Sequence, residues 1–254
     1  MSRQDKRGGR RGQQLRAQLA GEAARLMYHE GVKQYLDAKQ IAARRLLGSA
    51  GARRIRFRPH DLPSNGEIRA ALLQLAEQAE GPARAGRLLA MRAVALEVMA
   101  ALEGFSPRLI GSVASGHIRC GSDIDLHVFA DEDGAITARL ASMGWPHETE
   151  RIAIRKGGVI AVYTHVYLDR GFPVELSVYP RRELRVVGRS STDGQPIDRV
   201  SPGRLAARAR ADAPELWRRY QDSGEIPDLD AHVATSKAGP AGAFDGLLAT
   251  LSDL

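Results

Sequence analysis

Two aspartates separated by one apolar residue are the first feature of this chain that could support chemistry. From Ser122 to Phe129 polar and apolar residues alternate, which predicts a β-strand with Asp123 and Asp125 on one face. The rise of a strand places their Cβ atoms about 6 to 7 Å apart. Carboxylates at that spacing can bind one or two divalent ions while Ile124 and Leu126 anchor the strand in a core. The pair therefore predicts a metal site that needs a third oxygen ligand.

A glycine-serine pair upstream predicts a phosphate contact beside that site. Gly111 allows a sharp turn and a close approach of the backbone to a ligand, and Ser112 supplies a hydroxyl. A strand that turns into a helix N-terminus offers unpaired N–H groups, which favour negative charge. Phosphate next to paired carboxylates is the arrangement that metal-assisted phosphoryl or nucleotidyl transfer requires.

Glu175 is the candidate for the third acid. It stands alone among apolar neighbours in a predicted strand, on the face opposite Val174 and Leu176. A carboxylate in that position is either a rim residue facing water or a member of the metal cluster. Asp169, in a turn, is the reserve candidate.

Residues 108–129 resemble the core motif of the DNA polymerase beta-type, or minimal, nucleotidyltransferase superfamily. The motif departs from the resemblance at Ser115, where minimal members often carry a basic residue. The residues that carry the resemblance are Gly111, Ser112, Ala114, Gly116, Arg119, Ser122, Asp123, Asp125 and Leu126.

The resemblance implies an α+β fold, with a small mixed β-sheet nucleotidyltransferase core flanked by helices and an N-terminal helical region. It implies transfer of a nucleoside monophosphate from a nucleoside triphosphate to an acceptor hydroxyl, with release of pyrophosphate. Two Mg²⁺ or Mn²⁺ ions would bind Asp123, Asp125 and a carboxylate on a later, adjacent strand, where Glu175 fits although many members use Asp. The triphosphate contacts would come from Gly111, Ser112, Ser122 and Arg119. The acceptor stays open between RNA, a protein and a small molecule.

Several other residues could take part in the same chemistry. His127 continues the carboxylate face and is either a further ligand or an ordinary strand histidine bonded to a neighbour. Arg155 or Lys156 could meet phosphate oxygens, or be solvated surface charges. Cys120 lies in the motif turn, and no His or Asn arrangement around it indicates a catalytic thiol.

Composition places the chain among globular proteins of the cytoplasm. The net charge is +7. The segment from Arg3 to Arg16 contains six basic residues and one acidic residue, Asp5, so much of the excess positive charge lies in this N-terminal arm. That arm is either a solvated tail or an RNA-binding segment. A single cysteine rules out an internal disulfide framework and fits a reducing compartment. We expect no membrane association, because the best apolar run, residues 88–102, is interrupted by charges.

The pattern along the chain predicts four regions. Residues 1–12 are predicted to form a disordered basic arm. Residues 13–62 are predicted to form an N-terminal helical region, with two helices joined near Gly31 and then a linker over 48–63. The nucleotidyltransferase domain is expected over 63–221, and a C-terminal tail over 222–254. Residues 23–47 also resemble the N-terminal part of a group of uncharacterised bacterial nucleotidyltransferase-like proteins, which implies no activity.

Within the third region the pattern predicts helices and three consecutive strands. The helices are expected from Ser64, over 83–103, 136–143 and 201–220, and the strands over 151–156, 159–168 and 172–179. A polar loop over 181–200 could cover the site, and a weak terminal helix is expected over 243–251.

Three other classes of protein remain open. The chain could be a catalytically silent nucleotide-binding or regulatory module of the same fold, although a silent site has no reason to keep three repelling carboxylates. It could be a glycosyltransferase, which also uses Asp-x-Asp to hold a metal and a nucleotide diphosphate. It could be an interaction protein built on the N-terminal helices. Metal-dependent nucleotide binding would separate these alternatives.

Overall fold

The computed structural model describes residues 3–32, 34–54, 62–81, 83–132, 134–156, 159–190, 195–226, 229, 231 and 233. The chain divides into two compact units. Described residues up to Gly81 belong to a helical unit, and those of 83–189 and 195–233 belong to an α+β unit.

The helical unit contains α1 (Arg3–His29), α2 (Tyr35–Arg54) and α3 (Asn65–Glu80). The prediction of two helices joined near Gly31 is confirmed, and Gly31 itself adopts a positive φ of 69°. The apolar stripe of α1 is buried, and it packs with apolar residues of α2 and α3. This core contains Leu19, Ala23, Leu26, Met27, Ala38, Ala42, Ile68 and Leu72.

Three predictions for this region differ from the structure. Helix α1 begins at Arg3, so its first turns occupy most of the segment expected to be disordered over 1–12. Helix α2 continues across the predicted linker to Arg54, with a kink at Gly48, where φ is 67° and ψ is 169°. Residues 55–61 lie outside the described residues. The predicted boundary near residue 62 also precedes α3, whereas Ile68 and Leu72 pack α3 into the helical unit.

Helix α3 starts with a capping box at Ser64, where the sequence predicts the start of a helix. The Ser64 hydroxyl accepts from the Glu67 backbone N–H at 3.1 Å, and the Glu67 carboxylate accepts from the Ser64 N–H at 2.7 Å. Arg16 of α1 donates to the same carboxylate from Nε and Nη2 at 2.7 to 3.0 Å. The hydrogen bond with Arg16 is the main cause that lowers the pKa of Glu67 to about 2, and Ser64 adds to the shift.

Glu67→Gln should destabilise the helical unit at neutral pH but not in acid. The glutamine keeps the capping geometry and removes the charge that binds Arg16. Because the folded-state pKa of Glu67 is depressed, its contribution is complete above about pH 4.5 and is lost as the pH falls toward 2. The pair is partly exposed, so we expect a difference of about 0.2–1 kcal/mol at pH 7. Urea unfolding at pH 7 and pH 2.5 checks this, and a difference as large at pH 2.5 as at pH 7 would contradict it.

The α+β unit contains five strands and five α-helices among its described residues. In chain order these are α4 (Ala83–Ala101), β1 (Arg108–Leu109), α5 (Gly111–Ser115), β2 (Ile124–Phe129), α6 (Ala135–Ser142), β3 (Glu148–Lys156), β4 (Val159–Asp169), β5 (Pro173–Tyr179), α7 (Pro202–Asp212) and α8 (Pro214–Ser223). Short 3-10 helices occupy Glu103–Phe105 and Arg181–Arg185, the second of them inside the predicted polar loop.

The five strands form one mixed sheet in the order β1-β2-β5-β4-β3. The three consecutive strands predicted after α6 are confirmed, and they pair antiparallel to one another as β3, β4 and β5. Strand β5 returns to lie parallel to β2, with Asp125 opposite Glu175. The fold is therefore α+β, as the sequence predicts.

The two faces of this sheet differ because side chains alternate along each strand. One face carries Ile124, Leu126, Val174 and Leu176, each at most 2% exposed, and it packs with apolar residues of α4 to α7. The other face carries polar and aromatic side chains. Those of the three central strands are Asp125, His127, Phe129, Glu175, Ser177, Tyr179, Tyr163, His165 and Tyr167.

The C-terminal helix predicted over 201–220 is two helices. Pro214 cannot donate a backbone hydrogen bond and disfavours helical geometry in the residue before it, so α7 ends at Asp212 and α8 begins at Pro214. Ala213 between them has an extended φ of −144°. The predicted turn over 192–194 and the terminal helix over 243–251 lie outside the described residues. Among the helices described, none combines the length and the apolar character needed to cross a membrane.

Candidate metal centre

The three acids selected from the sequence come together on the polar face of the sheet, near the N-terminal ends of β2 and β5. Asp123 lies just before β2, Asp125 is the second residue of β2, and Glu175 is the third residue of β5. Each offers a carboxylate oxygen, and these oxygens lie within 4.8 Å of one another. Asp169, the reserve candidate, instead accepts from the Gly171 backbone N–H at 2.8 Å and closes the turn between β4 and β5.

Parallel pairing of β2 with β5 brings the carboxylates together. In that ladder Asp125 stands opposite Glu175, so both side chains leave the same face of adjacent strands. The alternate positions Ile124, Val174 and Leu176 are buried in the core. A slip of one residue in either strand would bury a carboxylate and expose an aliphatic side chain, so the hydrophobic pattern fixes the register.

Asp125 is the member of the cluster whose negative charge is screened least by water. Burial, and then the charges of Asp123 and Glu175, raise the pKa of Asp125 well above its ordinary value. A divalent cation would relieve this repulsion. Three carboxylate oxygens are the hard donors that Mg²⁺ and Mn²⁺ prefer, and Asp123 is exposed, which leaves the cluster open to solvent.

Gly111 is required at this site by its backbone and by its neighbour. Its φ of 71° lies in the left-handed region, which side chains with a Cβ rarely adopt. A Cβ added there would collide with a carboxylate oxygen of Asp125 and stand 3.2 Å from its Cγ. The Ile110 N–H also donates to the Asp125 carbonyl at 2.9 Å. The glycine thus lets the start of α5 lie directly against the acidic cluster.

Three arginines fix the other end of α5 and the turn that follows it. Arg84 donates to the carbonyls of Gly116 and Ile118 at 2.8 and 3.0 Å. Arg208 donates to the Ala114 carbonyl at 2.8 Å. Buried Arg92 donates to the Val113 carbonyl at 3.3 Å and to Asp212 at 2.6 Å. Cations at these carbonyls complement the negative end of the helix and hold the motif turn in place.

Ser122 and Arg119 form the turn that leads into β2. The Ser122 hydroxyl accepts from the Arg119 N–H at 3.0 Å, and the Ser122 N–H donates to the Arg119 carbonyl at 3.1 Å. Ser122 is buried, and Ser112 of α5 is half-buried. The structure therefore shows a role for Ser122 in closing the turn, and triphosphate contacts by these residues stay predictions.

His165 is a residue of the site that the sequence did not single out. It lies on β4, and its Nδ1 donates to Oε1 of Glu175 at 2.6 Å, because a carboxylate can only accept. Its side chain is 10% exposed, and its Nε2 is buried with no hydrogen-bond partner in the described part of the chain. The histidine thus stands behind Glu175 and fixes the direction of its carboxylate.

His165→Leu should weaken metal binding by roughly tenfold or more, because Glu175 would lose the donor that orients it. His165→Asn should restore much of the affinity, since an asparagine amide places a donor near the position of Nδ1. Mn²⁺ titration of the folded variants measures this, with His147→Asn as the matched substitution away from the site. Equal affinities for the leucine and asparagine variants would contradict the orienting role.

His127 behaves as an ordinary strand histidine. Its Nδ1 accepts from Nε of Arg199 at 3.0 Å, so this nitrogen is not available to a metal. Burial, and then the nearby Arg199 and His165, lower the pKa of His127 to about 3, so the imidazole is neutral. The guanidinium of Arg199 also lies over the rings of Phe129 and Tyr179, at 5.1 and 5.7 Å from their centroids.

The remaining candidates are not assigned to the site. Cys120 is half-buried in the motif turn. The side chains of Arg155 and Lys156 lie outside the described residues, so their phosphate contacts stay predictions.

Comparison with protein-family models, with curated protein sequences and with solved structures finds no match to this chain. The assignment of its function therefore depends on its own residues and their geometry.

Proposed function

We propose that this protein is a metal-dependent nucleotidyltransferase. The observation that carries the proposal is the convergence of Asp123, Asp125 and Glu175, with Asp125 directly against Gly111 at the start of α5. A cluster of acids alone is common on protein surfaces. A cluster in which one carboxylate approaches a helix start closely enough to require glycine would place metal ligands beside a backbone suited to phosphate.

The three carboxylates would hold Mg²⁺ or Mn²⁺. Bound there, the cations would neutralise charge on the phosphate oxygens and lower the pKa of the acceptor hydroxyl. Glu175, fixed by His165, would keep one oxygen directed into the cluster. Gly111 and Ser112 would bind the triphosphate through the N–H groups and the hydroxyl at the start of α5.

The reaction would be an in-line displacement at the α-phosphorus. The acceptor oxygen would form a bond to that phosphorus while the bond from phosphorus to the oxygen bridging to the β-phosphate breaks. Pyrophosphate would leave, and a carboxylate of the cluster would take the hydroxyl proton. Acceleration would come from positioning and charge neutralisation, because this transfer needs no covalent intermediate with the protein.

Transfer of label from each α-labelled nucleoside triphosphate tests the proposal. The acceptors are the protein itself and cell extract with or without RNA, in the presence of Mg²⁺ or Mn²⁺. We expect label in a product with the intact protein and none with the Asp123→Asn, Asp125→Asn double variant. Full transfer by the double variant would exclude the mechanism. Absence both of label and of Mg-nucleotide binding by calorimetry would favour a silent module of this fold.

A further inference from the structure

An arginine-lined cleft lies on the α+β unit beside β2. It has a volume of about 500 Å³ and forms between β1, the segment after β5 and the start of α7. Its cationic lining residues are Arg108, Arg185, Arg199 and Arg204. Aliphatic side chains complete much of the wall, among them Val186 and Val187, which are 44% and 67% exposed.

The lining of this cleft carries more positive than negative charge. Asp198 is the one acidic residue in the lining, and it is already shared between Arg204 at 3.2 Å and Arg208 at 2.7 Å. Within the described ranges, no carboxylate lies at ion-pair distance from Arg108, Arg185 or Arg199. A concave surface with excess cations attracts an anion.

Arg199 fixes part of that charge in place. Its Nη1 donates to the carbonyls of Glu183, Leu184 and Val186 at 3.0, 3.3 and 2.8 Å, while its Nε donates to His127. Carbonyls and a neutral imidazole do not cancel the charge of a guanidinium. The cation is therefore preorganised in the cleft before any ligand arrives.

The cleft adjoins the acidic cluster along one strand. His127, which contacts Arg199, is the next residue after Asp125 on the same face of β2, about 7 Å away by strand rise. A ligand that extends out of the cleft along this face of β2 would approach the carboxylates. Such a ligand needs several negative charges and, for the proposed transfer, a hydroxyl at one end.

We propose that this cleft binds the sugar-phosphate backbone of a single-stranded RNA, whose terminal hydroxyl is the acceptor at the carboxylate cluster. This inference rests on the proposed function. Each nucleotide supplies both a phosphate and a hydroxyl-bearing sugar, whereas an acidic peptide must combine two kinds of residue. The planar guanidinium groups suit phosphate oxygens, and the volume admits one strand rather than a duplex. The charged groups of the lining would meet phosphates, which carry no sequence information, so binding should be insensitive to sequence.

Binding of a fluorescent, mixed-sequence RNA oligonucleotide at several salt concentrations tests the assignment. The test variant is Arg185→Gln with Arg204→Gln, both exposed and outside the metal ligands. The control is Arg218→Gln with Arg219→Gln on α8, which removes the same charge elsewhere on the unit. The basic segment near the N-terminus is present in all three proteins, so it contributes equally.

The cleft variant should bind RNA several-fold more weakly than the control. Its dependence of log affinity on log salt should also be shallower, by about 0.7 for each lost phosphate contact and about 1.4 for the pair. Equal affinity and slope in the two variants would overturn the assignment. So would an aspartate-rich peptide that displaces the RNA at lower concentration than unlabelled RNA does.

A separate arm distinguishes this inference from the proposed function. The Asp123→Asn, Asp125→Asn double variant should bind RNA with the same cleft-dependent salt slope and transfer no nucleotide. If wild-type protein binds RNA in the cleft but transfers no nucleotide to it with Mg²⁺ or Mn²⁺, the acceptor role is overturned and the cleft remains a binding site. If nucleotide is transferred to another acceptor and not to RNA, the proposed function stands and the RNA assignment fails.

Discussion

Asp125→Asn should abolish nucleotidyl transfer and at the same time raise the melting temperature of the metal-free protein. Asp125 is the carboxylate whose pKa is raised by burial and by its two acidic neighbours, so without a cation its charge opposes folding. Asparagine keeps the shape and removes the repulsion. We expect a gain on the order of 1 kcal/mol, or about 2–4 °C for a chain of this size. Transfer should fall by about 10³-fold or more, since metal ligation contributes several kcal/mol to such reactions.

Thermal unfolding in chelator and in Mn²⁺, together with the transfer assay, measures both effects. Mn²⁺ should raise the melting temperature of wild-type protein and leave the Asp125→Asn variant nearly unchanged, because binding to the folded state alone stabilises it. Asp222→Asn, an exposed position on α8, is the control and should alter neither quantity. A lower melting temperature of the metal-free variant, or retained transfer, would contradict the account.

Gly111→Ala should distort the acidic cluster as well as strain the backbone. The alanine would have to hold a left-handed φ of 71°, at a cost of about 1–2 kcal/mol, and its Cβ would collide with the Asp125 carboxylate. Since Asp125 must move, we expect loss of metal binding and of transfer in addition to lower stability. Mn²⁺ affinity and the free energy of unfolding are the quantities to measure.

Gly121→Ala provides a matched control in the same motif. Gly121 has a similar φ of 75°, but a Cβ there would meet no atom within 4 Å among the described residues. The Gly121→Ala variant should therefore have a lower free energy of unfolding, because of its strained backbone, and should bind Mn²⁺ as wild type does. If both alanine variants bind Mn²⁺ equally well, the close approach of Gly111 to Asp125 has no part in forming the site.

The local pattern of the sequence predicted the strands and the directions of the three acids. Alternation around Asp125 and Glu175 was enough to place each on the polar face of a strand, because the side-chain period of a strand is two. The period does not reveal which strands are neighbours. The resemblance, not the period, implied that Glu175 lies on a strand adjacent to that of Asp125. The structure shows that β5 pairs parallel to β2 with Asp125 opposite Glu175, although α6, β3 and β4 separate the two strands in the chain.

Contacts between distant segments are the part that the sequence did not reveal. His165 is one polar residue among several in β4, and nothing in its neighbours indicates that it binds Glu175 across the ladder. Arg92 stands out in the sequence because it interrupts an apolar run. Its partners Val113 and Asp212, which lie 21 and 120 residues away, could not be identified from the sequence. Arg199 came from a segment interpreted as a polar loop.

The helical unit differs from its prediction for a related reason. Glycine has weak helix propensity, and the clustered arginine charges of the N-terminal segment repel one another, which favoured a disordered arm and a linker. Tertiary packing of Leu19, Leu26 and Ile68 can stabilise helices beyond their intrinsic propensity, and α1 is much longer than its apolar stripe requires.

Direct titration of Mn²⁺ by electron paramagnetic resonance, with and without a non-hydrolysable nucleoside triphosphate, is the most direct test of the metal centre. We predict that wild-type protein binds Mn²⁺ more tightly with nucleotide present, and that Asp123→Asn, Asp125→Asn and Glu175→Gln each weaken this binding. The Asp222→Asn control should bind as wild type does. Free Mn²⁺ throughout the wild-type titration, or binding by all three site variants as tight as that of wild type, would contradict the assignment of these carboxylates as a metal site.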